Sequence, residues 1–367
     1  ETQMGLRSQM RTAAFQNLLE LNRKNYGGPD DPEHLRRKEA FILEAMEGLQ
    51  GTALLLGFGE GEGYPLLKLA QQFDRLIIAD LDPERAKAVI AAKVPVNFRH
   101  KFIYLSPEEG DLTGILAEYA QEVSRIVGEN DSYAAAIESL GGFLGRLSLR
   151  TPSLEKYQSD FIISSLVWSQ LWAAFSSYAD DAFKKKFGKS VVPDFGRFTV
   201  SYRRLQNEIK ESHPRQLLRW SKPDGRVVLI DTSKMMDIIQ DENGYHGTSS
   251  RPIEMLSAAA LAKIPEIFHI EKTEDWFWVR RDIEKGEAQL GFQVQAYSLT
   301  PHVRSEMRST SGKIEMDNLT PVLKTRLEFT GYLFPIWMYK FGENALMKVL
   351  VSLGLLADKN NSVYSEK

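Results

Sequence analysis

Apolar residues change their period abruptly some way into the chain. From Thr12 to Leu49 they fall among charges at helical spacing, with Phe41, Leu43, Ala45 and Leu49 in the second of two predicted helices. The turn-rich stretch Tyr26-Gly27-Gly28-Pro29-Asp30-Asp31 separates the two. Thr52-Ala53-Leu54-Leu55-Leu56 is then a short continuous apolar run ending in glycines, the pattern of a strand buried on both faces. Similar runs follow at Arg75 to Ala79, Phe102 to Leu105, Phe161 to Leu166 and Arg226 to Ile230. Helices are predicted between them, at Tyr64 to Gln72, Pro83 to about Ala92, most of Leu112 to Arg150, and an insertion over about 168–220.

Strands alternating with helices imply a mainly parallel sheet covered by helices on both faces. Two late apolar runs, Trp276 to Val279 and Phe292 to Tyr297, have only Arg280 to Leu290 between them and predict an antiparallel hairpin at one edge. The expected fold class is therefore α/β, with seven strands, a terminal antiparallel hairpin, a helical insertion and helical additions at both ends. The expected organisation is a helical segment over 1–50, a ligand-binding domain over 51–300, and a mostly helical extension over 301–367.

The segment most informative about chemistry is Leu56-Gly57-Phe58-Gly59-Glu60-Gly61-Glu62-Gly63. Glycines at alternate positions after a buried strand let the backbone turn tightly and let a ligand lie directly on the main chain. The helix that follows contributes free N–H groups and the positive end of its dipole. Seventeen residues beyond Gly63, Asp80 closes the second strand, where a carboxylate can accept both hydroxyls of a ribose. A dinucleotide fingerprint requires Gly-x-Gly-x-x-Gly, and no register of this loop supplies it. Glu60 and Glu62 also stand where a pyrophosphate would lie and suit a cationic ligand better.

Together with Asp80-Leu81-Asp82-Pro83, Ser164-Ser165-Leu166-Val167 and Lys222-Pro223-Asp224-Gly225-Arg226, this loop resembles the ordered motifs of class I S-adenosylmethionine-dependent methyltransferases. The resemblance covers about residues 51–231. It implies a Rossmann-like fold, S-adenosylmethionine as cofactor, and methyl transfer as the activity. Residue by residue, it assigns cofactor contacts to Gly57, Gly59, Glu60, Gly61, Gly63, Asp80, Leu81, Asp111 and Ser164, with Glu109 as an alternative to Asp111. One departure is Gly57, which stands where the family usually carries an acidic residue; Glu60 or Glu62 is the candidate replacement near the methionine amine.

On the acceptor side the expectations are Ser165, Trp168 and Tyr245 as pocket residues and His246 as a candidate base, the last two in the glycine-flanked stretch Asn243 to Gly247, read as a loop past the fifth strand that closes over the site. Trp168, Trp172 and Phe175 have helical spacing, so packing in the core competes with walling a pocket. Methyl transfer from a sulfonium mainly requires alignment, and a base only when the acceptor must lose a proton. The planar-amine signature Asn/Asp/Ser-Pro-Pro-Tyr is missing after the fourth strand, and Asp160 lies at the wrong end of that strand for a ribose methyltransferase.

Composition narrows the chemistry further. There is no cysteine, which excludes disulfides, thiolate metal sites and thiol nucleophiles. Methylation through a cysteine-bound cluster or a cysteine adduct is excluded with them. The net charge of −3 gives no global attraction to polyanions. The lysines and arginines between Lys184 and Arg219 read as a solvated helix face or as an anion-facing patch. The six histidines show no metal-ligand spacing, so no metal is expected.

These features lead us to expect a cytoplasmic enzyme with a small-molecule or protein acceptor, nucleic acid being disfavoured. No transmembrane segment is expected. The apolar stretch Leu327 to Leu356 reads as packing helices or a homodimer surface, with lipid docking as the other reading. The alternative function is a regulatory or interaction module that binds the cofactor without turnover.

Overall fold

A computed structural model describes residues 13–18, 20–21, 31–150, 154–168, 171, 173–192, 199–241, 244–247, 253–254, 258–281 and 288–302. Beyond Lys234, side chains are described only over 261–277 and 292–302. The expected C-terminal extension, with its homodimer surface, and the breaker around Gly27 lie outside these residues.

The core is one sheet. Its first strands are β1 (Thr52–Leu56), β2 (Arg75–Ala79), β3 (Phe102–Tyr104), β4 (Ser159–Ser165) and β5 (Ser221–Asp241). The later ones are β6 (Gly244–Gly247), β7 (Ile253–Glu254), β8 (Phe268–Arg281) and β9 (Ala288–Pro301). The main order is β3-β2-β1-β4-β5-β9-β8, with β6 and β7 pairing only with β5. The first five strands are mutually parallel. β9 runs antiparallel to both β5 and β8. The expected seven-stranded, mainly parallel sheet with a terminal antiparallel hairpin is thus present. Chain order reverses between β1 and β4, which makes their carboxyl ends the topological switch point where open α/β sheets bind ligands.

Helices cover both faces. α1 (Pro32–Ala45) starts with Asp31 accepting from the Glu33 N–H at 2.8 Å and with proline in its first turn. Its C-terminal turn has no basic residue of its own. The sheet supplies one, as the Arg226 guanidinium donates to the Ala45 carbonyl. α2 (Leu66–Gln72), α3 (Pro83–Lys93) and α4 (Val96–Arg99) follow. Phe41, Ile42, Leu69, Ala70 and Ile90 bury one sheet face through Leu55, Ile78, Ile163 and Ile230.

Next come α5 (Pro107–Gly110), α6 (Leu116–Glu129), α7 (Tyr133–Arg146), α8 (Ala173–Phe187), α9 (Thr199–Trp220) and α10 (Ala258–Ile267). Trp168, Leu217, Trp220 and Ile264 bury the opposite face through Leu54, Ile77, Ile162 and Leu229. Leu112 to Arg150, read as mostly helical, divides where Ser132 caps α7 by accepting from the Ala135 N–H.

Two sequence expectations are corrected. The fifth strand does not stop near Ile230 but continues to Asp241. The segment around Tyr245 and His246 is consequently not a loop closing over the site. It is β6, the return arm of a hairpin in which Gln240 pairs with Tyr245 and Ile239 with His246. The two side chains lie outside the described residues.

Proline inside a helix removes one N–H and strands the carbonyl four residues earlier. α9 contains Pro214, and the carbonyl concerned is that of Lys210. The Trp168 indole N–H donates to it at 2.6 Å, so a residue just beyond β4 repairs the helix. Asp231 at β5 also accepts from the Trp168 backbone N–H at 2.6 Å. At the other end of the sheet, Asp160 accepts from Thr52 N–H at 2.7 Å and pairs with Lys222 at 2.8 Å, a structural clamp.

Two histidines are folded into this core. His34 Nδ1 accepts from the Trp276 indole at 2.8 Å. Burial, reinforced by the Lys38 charge, pushes its pKa down to about 3. His213 Nε2 bonds the Ser164 hydroxyl at 2.9 Å. Burial pushes its pKa down to about 3 against an opposing effect of Gln216.

Trp168→Phe removes the indole donor to the Lys210 carbonyl together with part of the buried ring, and should cost at least about 1–3 kcal/mol in urea unfolding. An unchanged midpoint would remove the indole from the repair of α9. Both histidines are neutral when folded and take up a proton when unfolded below about pH 6.5. Their contribution is therefore complete above that pH and is lost as pH falls toward about 3. His213→Gln should reduce the slope of stability against pH between about 6 and 4 by roughly 1.4 kcal/mol per pH unit. Equal slopes for the two proteins would contradict the buried neutral state.

Candidate functional site

The glycine bend that follows β1 is left-handed at all four glycines, with φ of 59°, 54°, 60° and 66° at Gly57, Gly59, Gly61 and Gly63. Gly59 is the exposed crest, because a Cβ built there would meet nothing within 4 Å. Its N–H donates to Asp80 Oδ2 at 2.9 Å. The other carboxylate oxygen accepts from the Asp82 N–H at 2.8 Å. A carboxylate has about four acceptor sites, so Asp80 keeps capacity on both oxygens beside an open stretch of backbone. The bend's own donors are largely spent. Gly57 N–H goes to the Ala79 carbonyl at 3.0 Å and Gly61 N–H to the Phe58 carbonyl at 2.9 Å.

Asp80 is held from behind by Gly110, a residue that the sequence did not single out. A Cβ there would stand 2.7 Å from the Asp80 carbonyl carbon and 3.0 Å from its amide nitrogen. Only glycine lets the end of α5 reach the backbone of the strand tip. Glu109 is committed elsewhere, closing a capping box with Ser106 and pairing with Lys156 at 2.7 Å. These partners hold its carboxyl below the usual range. Asp111 is buried and accepts from the Thr113 hydroxyl at 2.6 Å, the Thr113 N–H at 2.9 Å and the Leu116 N–H at 2.8 Å. Burial raises its pKa and those bonds lower it. It organises the entry to α6, with both of its oxygens engaged.

β4 ends between two environments, because successive strand side chains point to opposite faces. Ser164 faces α9 and bonds His213. Ser165 is buried on the face shared with Tyr64. The hydroxyls of Ser165 and Tyr64 lie near each other and have no other hydrogen-bond partner. Burial and the nearby Asp80 charge raise the Tyr64 pKa well above the ordinary phenol range, against a smaller opposing effect of the Ser165 hydroxyl. Tyr64 therefore remains a donor. Lys38 of α1 lies over its ring, with the ammonium 4.2 Å from the centroid. The next residue, Leu166, has φ of 56°, a strained left-handed conformation for a branched side chain. Its N–H donates to the Ile230 carbonyl at 2.7 Å, which ties the tips of β4 and β5.

Several predicted residues are placed differently from expectation. Glu60 forms an ion pair with Arg85 of α3, so its charge is shared with that helix, and the electrostatic case against a pyrophosphate rests more on Glu62. Trp168 is fully enclosed and repairs α9 as described, so it belongs to the core rather than to a pocket wall. Leu81 is half-buried beside Asp80 and packs toward the helices α6 to α8. Among the described residues, no cluster of histidine and acidic side chains could hold a metal. Among them, too, no helix is long and apolar enough to cross a membrane.

No family model and no curated protein sequence matches the chain. Solved structures with a similar course of chain include the N-methyltransferase NodS from Bradyrhizobium japonicum WM9, at 9% identity and TM-score 0.32, covering 74% of this chain and 98% of that one. A putative RNA methyltransferase from Pyrococcus horikoshii is similar at 11% identity and TM-score 0.35, covering 80% and 100%. The glycopeptide N-methyltransferase MtfA is similar at 9% identity and TM-score 0.33, covering 75% and 92%. Likeness at this level carries no functional weight, so function rests on the geometry of the switch point.

Proposed function

We propose that the chain binds S-adenosylmethionine at the switch point and transfers its methyl group to a small-molecule or protein acceptor. The observation that carries this reading is the pairing of Asp80 with the crest of the bend. A carboxylate with spare acceptor capacity on both oxygens lies 2.9 Å from the amide of a glycine that has open space before it. A ribose diol on Asp80 would rest directly on that backbone. The residues present fit such a nucleoside: Asp80 for the ribose, and Gly59 and its neighbours for close approach.

The same geometry argues against a dinucleotide. A pyrophosphate is held by free backbone N–H groups at a helix start, whereas three of the four glycine amides already have acceptors within the protein. The cofactor, when bound, supplies an activated methyl group on a good leaving group. The chain's task is then to bind, orient and exclude water. The alternative reading, a binding module without turnover, is favoured by Gly57, where the resemblance implies an acid and a Cβ would collide with Val167.

Calorimetry on the full chain should show binding of S-adenosylmethionine and S-adenosylhomocysteine and none of NAD. Asp80→Ala should weaken the nucleoside by about 1.5–3 kcal/mol, as expected for hydrogen bonds to a charged acceptor. Equal affinity in the variant would take Asp80 out of the site. Transfer of labelled methyl to a fractionated extract separates the two readings, since binding without transfer to any fraction supports the module.

A further inference from the structure

Three buried polar side chains from three elements meet beside the last glycine of the bend. Lys38 comes from α1, Tyr64 from the residue after Gly63, and Ser165 from the tip of β4. All three are more than nine-tenths buried, at 5%, 7% and 3% exposure. The Lys38 stem lies so close to Gly63 that a Cβ there would stand 2.9 Å from its Cδ. Its ammonium reaches the Tyr64 ring at 4.2 Å. Beyond each other, the Tyr64 and Ser165 hydroxyls have no hydrogen-bond partner in the protein, although buried polar atoms are nearly always paired. Phenylalanine and alanine would fill the same volumes without that cost.

The chemistry of the cluster selects its ligand. Two O–H donors and an ammonium match a group that only accepts hydrogen bonds and carries negative charge, and an ionised carboxylate is such a group. The cluster adjoins the end of the bend, on the β4 side of the switch point, while Asp80 closes β2 on the other side. We infer that Lys38, Tyr64 and Ser165 form the subsite for the carboxylate at the amino-acid end of the methyl donor. Lys38 supplies the charge and the two hydroxyls supply direction. This rests on the proposed binding of S-adenosylmethionine and deepens it. Ser165 moves from the acceptor side to the cofactor side. Helix α1, which lies outside the stretch that resembles methyltransferases, becomes part of the site.

The test compares S-adenosylmethionine with its decarboxylated form, which differs only by the carboxylate, by calorimetry on the full chain. The wild-type protein should prefer the intact compound by roughly 10-fold or more, as a charge-assisted contact implies. Tyr64→Phe and Ser165→Ala should each reduce that preference by about 3- to 10-fold, and Lys38→Met should abolish it while Lys38→Arg retains part of it. Affinity for the decarboxylated compound should stay unchanged in all four variants, which also reports that they are folded. Variants that keep the wild-type preference, or that weaken both compounds equally, would overturn the subsite and leave the cofactor reading standing. Failure of the wild-type protein to bind either compound would overturn both.

Discussion

The site depends on one contact between neighbouring strand tips, the hydrogen bond from the Gly59 amide to the Asp80 carboxylate. β1 and β2 are adjacent and parallel, so the bend leaving one necessarily passes the residue that closes the other. The bend can pass closely only because it lacks side chains, and Asp80 can stay in place only because Gly110 brings a third segment against its backbone. An alanine at Gly110 would push α5 away from the strand, and a side chain at Gly59 would cover the crest. The carboxylate, the bend and the supporting glycine thus form a single geometric unit built on missing Cβ atoms.

Much of this unit was legible in the sequence because it is local. Thr52 to Leu56 and Arg75 to Ala79 coincide with β1 and β2, since strands buried on both faces have sharp apolar limits. The glycine spacing and Asp80 follow those limits directly. What remained hidden is long-range. Pro214 removes a backbone donor inside α9, and the partner of the stranded carbonyl is Trp168, far away in sequence, whose indole N–H donates to it. Glu60 looked available to a ligand until α3 brought Arg85 to it. The extension of β5 is not legible locally, because the polar run Asp231 to Lys234 carries no apolar alternation and is held in the sheet by β9, a partner late in the chain.

The tip of β4 divides two tasks between consecutive residues. Ser164 points to the insertion helix and meets a neutral, buried His213, while Ser165 points to the bend, Tyr64 and α1. The strained backbone at Leu166 follows at once. Strain of that kind persists where surrounding contacts over-determine it, and here Ile230, Asp231 and the Trp168 amide do so. One strand end therefore fixes the cofactor side and the insertion side in a constant relation. Methyl transfer requires such fixed alignment more than it requires a strong acid or base.

Polarity along the switch point then decides between ligands that share a ribose. A dinucleotide continues from its ribose into a doubly charged pyrophosphate, which needs amide donors from the bend, and those of Gly57, Gly59 and Gly61 are bound to Ala79, Asp80 and Phe58. Releasing them would cost the bend its shape. A sulfonium nucleoside continues instead into a thioether-like stem and a compact zwitterion. The stem makes no demand on backbone amides, and in the proposed subsite the zwitterion's carboxylate would meet side-chain donors at Lys38, Tyr64 and Ser165. The bend can therefore keep every internal hydrogen bond and still carry the ligand. That economy follows from where the N–H groups already point, and it favours the methyl donor independently of any glycine count.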